Sequence, residues 1–435
     1  MFHFINSLVA YYKFYKSKSW DCSYYISNSK VNLKSKLSIF IYLHFIFFGI
    51  KRNYQPSKHF DINLYRYLYG NVNPIVDSVL NKRITDLNQS FAPKNELRIA
   101  VRSIGGLGDL IMDLNYLISI VMELKNENVR FTVFTKKNHT NLFDGCANNY
   151  FSVKEFSSNQ ECYENYDLYF ISYDLWIPVK YNLQKIHLFS RKLCLLVEKN
   201  LTIKSEIFKK DIINECCYEP FCRLRKITRH QFMDPYSVFV SNYYNAWMNT
   251  ISTLDPSYTL KKFNLDNVKY ITLNCCSDFN YSKHNIKIWG MENYLQLVKL
   301  LKDRLPSYKI VQIGVGPDDR IIPNVDINLL NQTNFKDLKC LLKYNEIHID
   351  CEGGLVHLSH ALGKKSVVYF GPTSSTEYGY PDNINIQGES CCSYGCVHVF
   401  ENWHSKCVCD EKLHCMKNIT PSLVCSKICE FLHAM

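Results

Sequence analysis

The pattern of apolar and polar positions between residues 346 and 373 predicts a strand, a glycine turn, a helix and a second strand. The segment 346–350 alternates apolar and polar residues, which suits a short strand, and 366–370 is β-branched and aromatic. Between them, apolar side chains recur at helical spacing until Gly363, namely Leu355, Leu358, Ala361 and Leu362. A glycine turn that opens a helix directs N–H groups and a positive dipole end at an anion, usually a phosphate.

The same alternation recurs earlier in the chain and predicts two α/β units. The first unit begins with a strand at 97–102, a glycine loop at 103–108 and a helix that starts at Asp109, followed by a strand at 129–135. The second unit begins with a strand at 269–274, a helix that Pro306 ends and a strand at 309–314. Further strands are expected at 167–172 and, from a weaker pattern, at 185–189, whereas 190–265 reads as irregular. The junction is expected near Pro256.

Composition and charge add an N-terminal extension to these two units. A chain of 435 residues with 47% hydrophobic and 21% charged residues is globular and long enough for two domains and an extension. Residues 1–95 hold 13 Lys or Arg against 4 Asp, a net charge of +9 of the chain's +11. Such a segment favours an anionic partner. No zinc-finger, helix-turn-helix or RNA-binding signature accompanies it, so we expect no nucleic acid partner.

The most apolar run, at 37–50, leaves two interpretations open. It is too short to predict a membrane span, and basic residues flank it, namely Lys34, Lys36, Lys51 and Arg52. A helix lying in the interface of an anionic membrane fits this pattern. A helix buried against the following domain fits it equally well.

The first glycine loop also raises the alternative of a nicotinamide-dependent oxidoreductase. The spacing of Gly105, Gly106 and Gly108 departs from G-x-G-x-x-G. The next strand ends in Lys136 and Lys137, where a dinucleotide site needs an acid for the ribose. These two departures make the oxidoreductase the weaker hypothesis.

A cysteine-rich tail follows residue 390 and holds eight of the 19 cysteines. Such a cluster can bind zinc or iron or form disulfides. The spacings do not form a clean pair of C-x-x-C knuckles, so a bound metal is the less favoured interpretation. If a metal is bound, its expected role is structural. The candidate ligands are Cys391, Cys396, Cys407, Cys409 and Cys415.

The run EGGLVHLSHALGKKSVVYFGPT resembles the donor-binding signature of glycosyltransferase family 9, the bacterial heptosyltransferases of lipopolysaccharide synthesis. In that family, an Asp-x-Gly-x-x-His-Leu turn and helix and a Gly-Pro-Thr turn hold the donor's nucleotide and pyrophosphate. Glu352 stands where the family usually has Asp, and Gly353 where Thr or Ser is common. The matching positions are Gly354, His357, Leu358, Gly371, Pro372 and Thr373.

Three other segments strengthen the resemblance. The Gly108-Asp109 pair is similar to the family's N-terminal signature, in which this Asp is the proposed general base; the alternative is that Asp109 only caps the helix. Lys287 matches the family lysine that contacts donor phosphate, with Trp289, Glu292 and Tyr294 in register and Gly290 replacing a proline. A Cys-Met-x-x-Ile segment is also shared, here Cys415, Met416 and Ile419.

The resemblance implies the GT-B architecture, two Rossmann-like domains facing a cleft, here after a helical extension. We expect the extension at 1–95, an acceptor domain at 96–260 and a nucleotide-sugar-binding domain at 261–435. Asp109 and Lys287 would be catalytic. The donor would contact Glu352, Gly353, Gly354, Leu355, His357, Gly371, Pro372 and Thr373, and the acceptor-side loop would comprise Arg102, Ser103, Gly105, Gly106 and Gly108.

The implied reaction is inverting transfer of a sugar, heptose by family default, from a nucleotide-sugar donor to a lipopolysaccharide, lipid-linked or other surface-glycan acceptor. No cofactor is required, because Lys287 and the backbone at Gly353 and Gly354 would stabilise the departing diphosphate. The expected location is cytoplasmic, at the periphery of the inner membrane. A catalytically degenerate sugar-binding or metal-bearing protein with this fold is the main alternative.

Overall fold

The structure is a computed structural model, which describes most of the chain beyond residue 95. The described residues are 96–103, 105–124, 128–144, 151–156, 165–173, 175–209, 255–275, 286–389 and 414–433, with 228, 238, 239 and 248. The predicted N-terminal extension, the apolar run at 37–50 and four of the five candidate metal ligands lie outside these residues. Among the described helices, none is both long enough and apolar enough to cross a membrane.

The first domain is a five-stranded sheet with helices packed on it. Its strand order is β3-β2-β1-β4-β5, with β5 antiparallel to β4 and the other pairs parallel. The strands are β1 (Leu97–Ser103), β2 (Val129–Thr135), β3 (Phe151–Glu155), β4 (Leu168–Tyr173) and β5 (Leu175–Tyr181). The helices are α1 (Leu107–Leu124), α2 (Lys137–Thr140), α3 (Leu183–Phe189) and α4 (Arg191–Lys209), with a 3₁₀ turn at Asn141–Phe143.

The core of this domain explains why β1 lies at its centre. Leu97, Ile99 and Val101 are buried, and β1 pairs on both sides, with β2 and with β4. A strand covered on both faces is expected to be largely apolar, which is the pattern of the sequence here. The carboxyl ends of β1, β2 and β4 therefore meet at one edge of the sheet, where the glycine loop begins.

Two sequence predictions in this domain are wrong. The segment 185–189 forms helix α3 and not a strand, because Asn182 caps it by accepting a hydrogen bond from the Lys185 N–H group at 3.1 Å. The Lys185 side chain then pairs with Asp167 in a buried ion pair of 2.8 Å. The segment after residue 190, expected to be irregular, begins with the 19-residue helix α4.

The second domain is a six-stranded, wholly parallel sheet in the order β11-β10-β9-β6-β7-β8. Its strands are β6 (Tyr270–Leu273), β7 (Lys309–Gln312), β8 (Ile327–Asn328), β9 (Ile347–Cys351), β10 (Ser366–Phe370) and β11 (Ile384–Gln387). Its helices are α5 (Pro256–Lys262), α6 (Met291–Arg304), α7 (Phe335–Tyr344), α8 (Gly354–Ala361), α9 (Ser375–Tyr378), α10 (His414–Lys417) and α11 (Pro421–His433), with a 3₁₀ turn at Asp318–Arg320.

The two domains share a continuous apolar core. Leu110 of α1 belongs to the same buried cluster as Leu355 and Leu358 of α8. Lys339 on α7 is fully buried, and its ammonium donates hydrogen bonds across the domain boundary to the carbonyl oxygens of Leu142, at 2.6 Å, and Asp144. These contacts bring the glycine loops that follow β1 and β9 together. The domain limits predicted at 95 and 260 stay predictions, and the second falls within α5.

Candidate active site

The loop between β1 and α1 wraps around the carboxylate of Asp109. The Gly106 N–H group donates to Asp109 Oδ2 at 2.6 Å, and a Cβ atom on Gly105 would collide with the same carboxylate. The helix begins at Leu107, two residues earlier than predicted, because Asp109 is then the third helical residue and satisfies the N–H group just before the helix. Asp109 therefore does cap the helix, and this hydrogen bond fixes its carboxylate beside the glycine loop.

One helical turn further, Asp113 is a buried acid beneath Asp109. Its Oδ1 atom accepts hydrogen bonds from Ser172 Oγ at 2.5 Å and Trp176 Nε1 at 2.8 Å. Burial raises the pKa of Asp113 to about 7, opposed by hydrogen bonds from Ser103, Ser172 and Trp176, and the nearby charge of Asp109 raises it further. Asp113 thus joins α1 to the ends of β1, β4 and β5. Its place on an otherwise apolar helix face was the sequence signal for it.

Two other side chains lie at this edge, namely Arg102, which was predicted in the acceptor-side loop, and His139, which was not predicted. The Arg102 guanidinium lies 3.3 Å from the ring centroid of Phe156, so it packs on an aromatic face at the side of the loop. His139, on α2, is buried against Phe335 of the second domain. Burial and Lys136 lower the pKa of His139, while the charge of Asp109 partly opposes them.

The glycine turn between β9 and α8 meets the first loop directly. A Cβ atom on Gly108 would come within 2.7 Å of His357 Cδ2, and one on Gly354 within 3.1 Å of Leu107 Cβ. The close approach of the two domains therefore leaves no room for a side chain at Gly108 without a shift of His357, and little room at Gly354. Because α8 begins at Gly354, the N–H groups of its first turn and its positive dipole end lie at this junction.

The side chain of His357 is positioned by a hydrogen bond with Tyr380. Its Nδ1 atom lies 2.7 Å from the hydroxyl of Tyr380, and the Tyr380 ring stacks on His360 at 3.7 Å between centroids. The hydrogen bond at Nδ1 fixes the ring so that its Cδ2–Nε2 edge faces Gly108. Tyr380 is 23 residues further along the chain, and no sequence motif pointed to it.

An ion pair joins Lys287, which was predicted to be catalytic, to Glu352 of the predicted donor site. Lys287 Nζ lies 2.6 Å from Glu352 Oε2, with 12% and 10% of the respective side chains exposed. The ion pair connects the segment before α6 to the turn before α8. Trp289, in register with Lys287, donates its indole N–H to the carbonyl of Ile419 at 2.7 Å.

The Gly-Pro-Thr turn after β10 is fixed by one amide side chain. The Gln387 Nε2 group donates to the carbonyl oxygens of Phe370, Gly371 and Thr373 at 3.0, 3.3 and 3.1 Å. A Cβ atom on Gly371 would collide with the sulfur of Met416, so the turn also lies directly on the C-terminal segment. Gln387 was not predicted, because its role depends on β11 lying beside β10.

The structure thus gathers the predicted residues into two groups. Asp109 and its glycine loop meet His357 and Gly354 at the domain junction, and Glu352 of the same turn pairs with Lys287. Gly371, Pro372 and Thr373 are buried at the end of the neighbouring strand β10. Of the candidate metal ligands, only Cys415 lies in the described part of the chain, where no three His, Cys, Asp or Glu side chains are placed to hold a metal ion.

Two α/β domains joined at opposing glycine turns form the GT-B fold. Residues 241–408 match the model of glycosyltransferase family 9 (heptosyltransferase). No curated protein matches the chain.

Several solved structures of heptosyltransferases and family 9 proteins are similar to the chain. The dodecameric iron-containing heptosyltransferase TibC, in complex with ADP-D-β-D-heptose, aligns with a TM-score of 0.50 and 14% identity, over 78% of each chain. TibC comes from enterotoxigenic E. coli H10407. The family 9 glycosyl transferase of Veillonella parvula aligns at 0.49 and 14%, over 79% of this chain and 100% of that one. The ADP-heptose LPS heptosyltransferase II of E. coli aligns with a TM-score of 0.46 and 14% identity, over 78% of this chain and 99% of that one.

Proposed function

We propose that the protein transfers a sugar, with inversion, from a nucleotide-sugar donor to a surface-glycan acceptor such as lipopolysaccharide. The observation that carries this proposal is the meeting of the Asp109 loop with the turn and helix at Gly354–His357. One face of the junction supplies a carboxylate, and the other supplies a helix N-terminus beside a lysine. A base and an anion site on opposite faces are what transfer from a sugar diphosphate to a hydroxyl group needs.

In the proposed reaction, Asp109 accepts the proton of the acceptor hydroxyl, whose oxygen attacks the anomeric carbon as the bond to the diphosphate breaks. Its hydrogen bond from Gly106 stabilises the ionised carboxylate before the reaction. Lys287 and the N–H groups at the start of α8 stabilise the negative charge that grows on the leaving diphosphate. No step requires a metal ion.

The donor is proposed to be ADP-heptose by analogy with TibC, which was crystallised with ADP-D-β-D-heptose. The pyrophosphate would lie at the turn of Glu352, Gly353 and Gly354, with Leu355 and His357 beside it and the turn of Gly371, Pro372 and Thr373 supporting the nucleotide. Arg102, Ser103 and the glycines of the first loop would face the acceptor.

The test combines donor binding with turnover. A thermal-shift panel of ADP-heptose, ADP-glucose, UDP-glucose and GDP-mannose identifies the donor, because a ligand that binds the folded state raises the melting temperature. Asp109→Asn should keep that donor shift while lowering transfer on the order of a hundredfold or more, since a positioned base is lost. Lys287→Ala should weaken donor binding and slow transfer together. Transfer by Asp109→Asn near the parent rate would refute the assignment of the base.

We further propose attachment of the basic segment 1–95 to the cytoplasmic face of the inner membrane, where a lipid-linked acceptor would be available. The support is its net charge of +9 and the apolar run at 37–50 with basic flanks. Each Lys or Arg near an anionic surface contributes about 1 kcal/mol, so several together could hold the protein reversibly.

A structural metal at the C-terminal cysteines is a separate proposal. TibC is described as iron-containing, and the tail here carries a cysteine cluster. Cys415 is buried beside the Gly371 turn, at 3.5 Å from the position of a Cβ atom on that glycine. Such a metal would hold the tail in place and take no part in the transfer.

A further inference from the structure

The ion pair between Lys287 and Glu352 connects two loops of the donor domain at a largely buried position. The two charged atoms lie 2.6 Å apart, and about nine-tenths of each side chain is covered. An ammonium group that is largely removed from water needs a nearby negative charge to offset its lost hydration. Glu352 supplies that charge in the protein as described.

The position of Glu352 is unusual for a residue that shares a site with an anion. It directly precedes Gly353 and Gly354, at the N-terminus of α8. A helix N-terminus and a lysine together favour a diphosphate, whereas a carboxylate beside them repels it. Glu352 therefore opposes the ligand that its neighbours attract, unless its function is to hold Lys287 until that ligand arrives.

Side-chain length supports this interpretation. An aspartate at position 352 would withdraw the carboxylate by about one carbon–carbon bond, roughly 1.5 Å. The 2.6 Å contact with Lys287 would then open beyond ordinary hydrogen-bonding distance unless the backbone moved. The glutamate is thus matched to the position of the lysine.

We propose that Glu352 is a positioning residue which acts through Lys287, as an internal counter-ion that the donor diphosphate competes with. This inference rests on the proposed function of the same site. It differs from a role in which Glu352 binds a hydroxyl group of the transferred sugar. Loss of that hydroxyl contact would leave the affinity for a ligand that lacks the sugar unchanged, whereas loss of the counter-ion would raise it.

The experiment measures the affinity of ADP, GDP and UDP by calorimetry for the full chain and for Glu352→Gln. In the counter-ion role, Glu352→Gln should bind the preferred nucleoside diphosphate more tightly, on the order of tenfold, because a competing negative charge is gone. Its turnover should fall, since Lys287 is no longer held in place. Structural damage would not tighten binding.

Two further variants serve as controls. Glu352→Asp keeps the charge but shortens the side chain, so it should lower turnover without the gain in affinity. Lys287→Met combined with Glu352→Gln removes both charges, and should fold even if Glu352→Gln alone does not, because no charge is left unpaired.

The outcomes separate the two proposals. If the parent binds one of the nucleoside diphosphates and Glu352→Gln binds it equally or more weakly, the counter-ion role is wrong and the proposed function stands. If Glu352→Gln and the double variant both fail to fold, the counter-ion role is also wrong. If the parent binds none of the three, the proposed function fails and the inference with it.

Discussion

The buried carboxyl group of Asp113 should make the stability of the protein depend on pH in a direction opposite to that of most acids. In the unfolded chain, Asp113 loses its proton near pH 4, whereas in the folded protein its pKa is about 7. Between these values the unfolded state has released a proton that the folded state still holds. The contribution of Asp113 to stability therefore falls as the pH rises from about 4 to 7.

The magnitude follows from the two pKa values. A tenfold difference in proton affinity is worth about 1.4 kcal/mol, so a pKa raised from 3.8 to about 7 costs the folded state roughly 4 kcal/mol above pH 7. Asp113→Asn removes this cost and keeps an oxygen that accepts from Ser172 and Trp176. The amide N–H₂ group needs acceptors of its own in a buried place, which reduces the expected gain to about 2–4 kcal/mol at pH 8.

The assay is thermal unfolding of the parent and Asp113→Asn at pH 5 and pH 8. The variant should melt higher at pH 8, by roughly 5–10 °C, and the difference should be clearly smaller at pH 5. Asp303→Asn, at an exposed aspartate on α6, is the matched control and should follow the parent at both pH values. A difference between parent and Asp113→Asn that stays constant from pH 5 to pH 8 would show that Asp113 is ionised in the folded protein throughout.

Three further predictions concern other parts of the molecule. Lys339→Met should lower the free energy of unfolding by about 2–4 kcal/mol in denaturant titrations, because two carbonyl groups, of which that of Leu142 is buried, lose their donor. Lys336→Met on the exposed face of α7 should not lower it, and equal stability of both variants would contradict the role of Lys339. The full chain should sediment with anionic vesicles at low salt, and a chain starting at residue 96 should stay folded and unbound; a full chain left in the supernatant would refute membrane attachment. Elemental analysis of the purified protein should find about one iron or zinc per chain, and its absence would remove the metal proposal.

Local sequence patterns were sufficient for the parts of the fold whose neighbours are close in the chain. Strands β2 and β10 were predicted with their observed bounds, because short runs of β-branched and aromatic residues bounded by polar or glycine residues have few other stable conformations. The glycine turns were found because close approach and helix starts both restrict residue type at the turn itself.

Helix α3 and the polar contacts that hold the site's turns in place could not be predicted from local patterns. The segment 185–189 has the composition of a strand, and it becomes a helix because Lys185 reaches Asp167 and Ile186 is buried. Gln387 clamps the Gly-Pro-Thr turn only because two strands lie side by side, and Lys339 contacts carbonyl groups 195 to 197 residues away. Polar contacts between distant segments leave no periodic pattern in a single sequence.

The contact between Gly371 and Met416 has a practical consequence for work with shortened or tagged forms of the protein. The segment 415–419 packs against two segments of the proposed donor site. Met416 lies against Gly371, and the carbonyl of Ile419 accepts a hydrogen bond from the Trp289 indole N–H. Removing the end of the chain would therefore take away the packing partner of the Gly371 turn and of the Trp289 segment, although no proposed catalytic residue is lost. Loss of activity in a C-terminal truncation should therefore be attributed to loss of packing around the donor site and not to loss of a catalytic group. Affinity tags are better placed at the N-terminus.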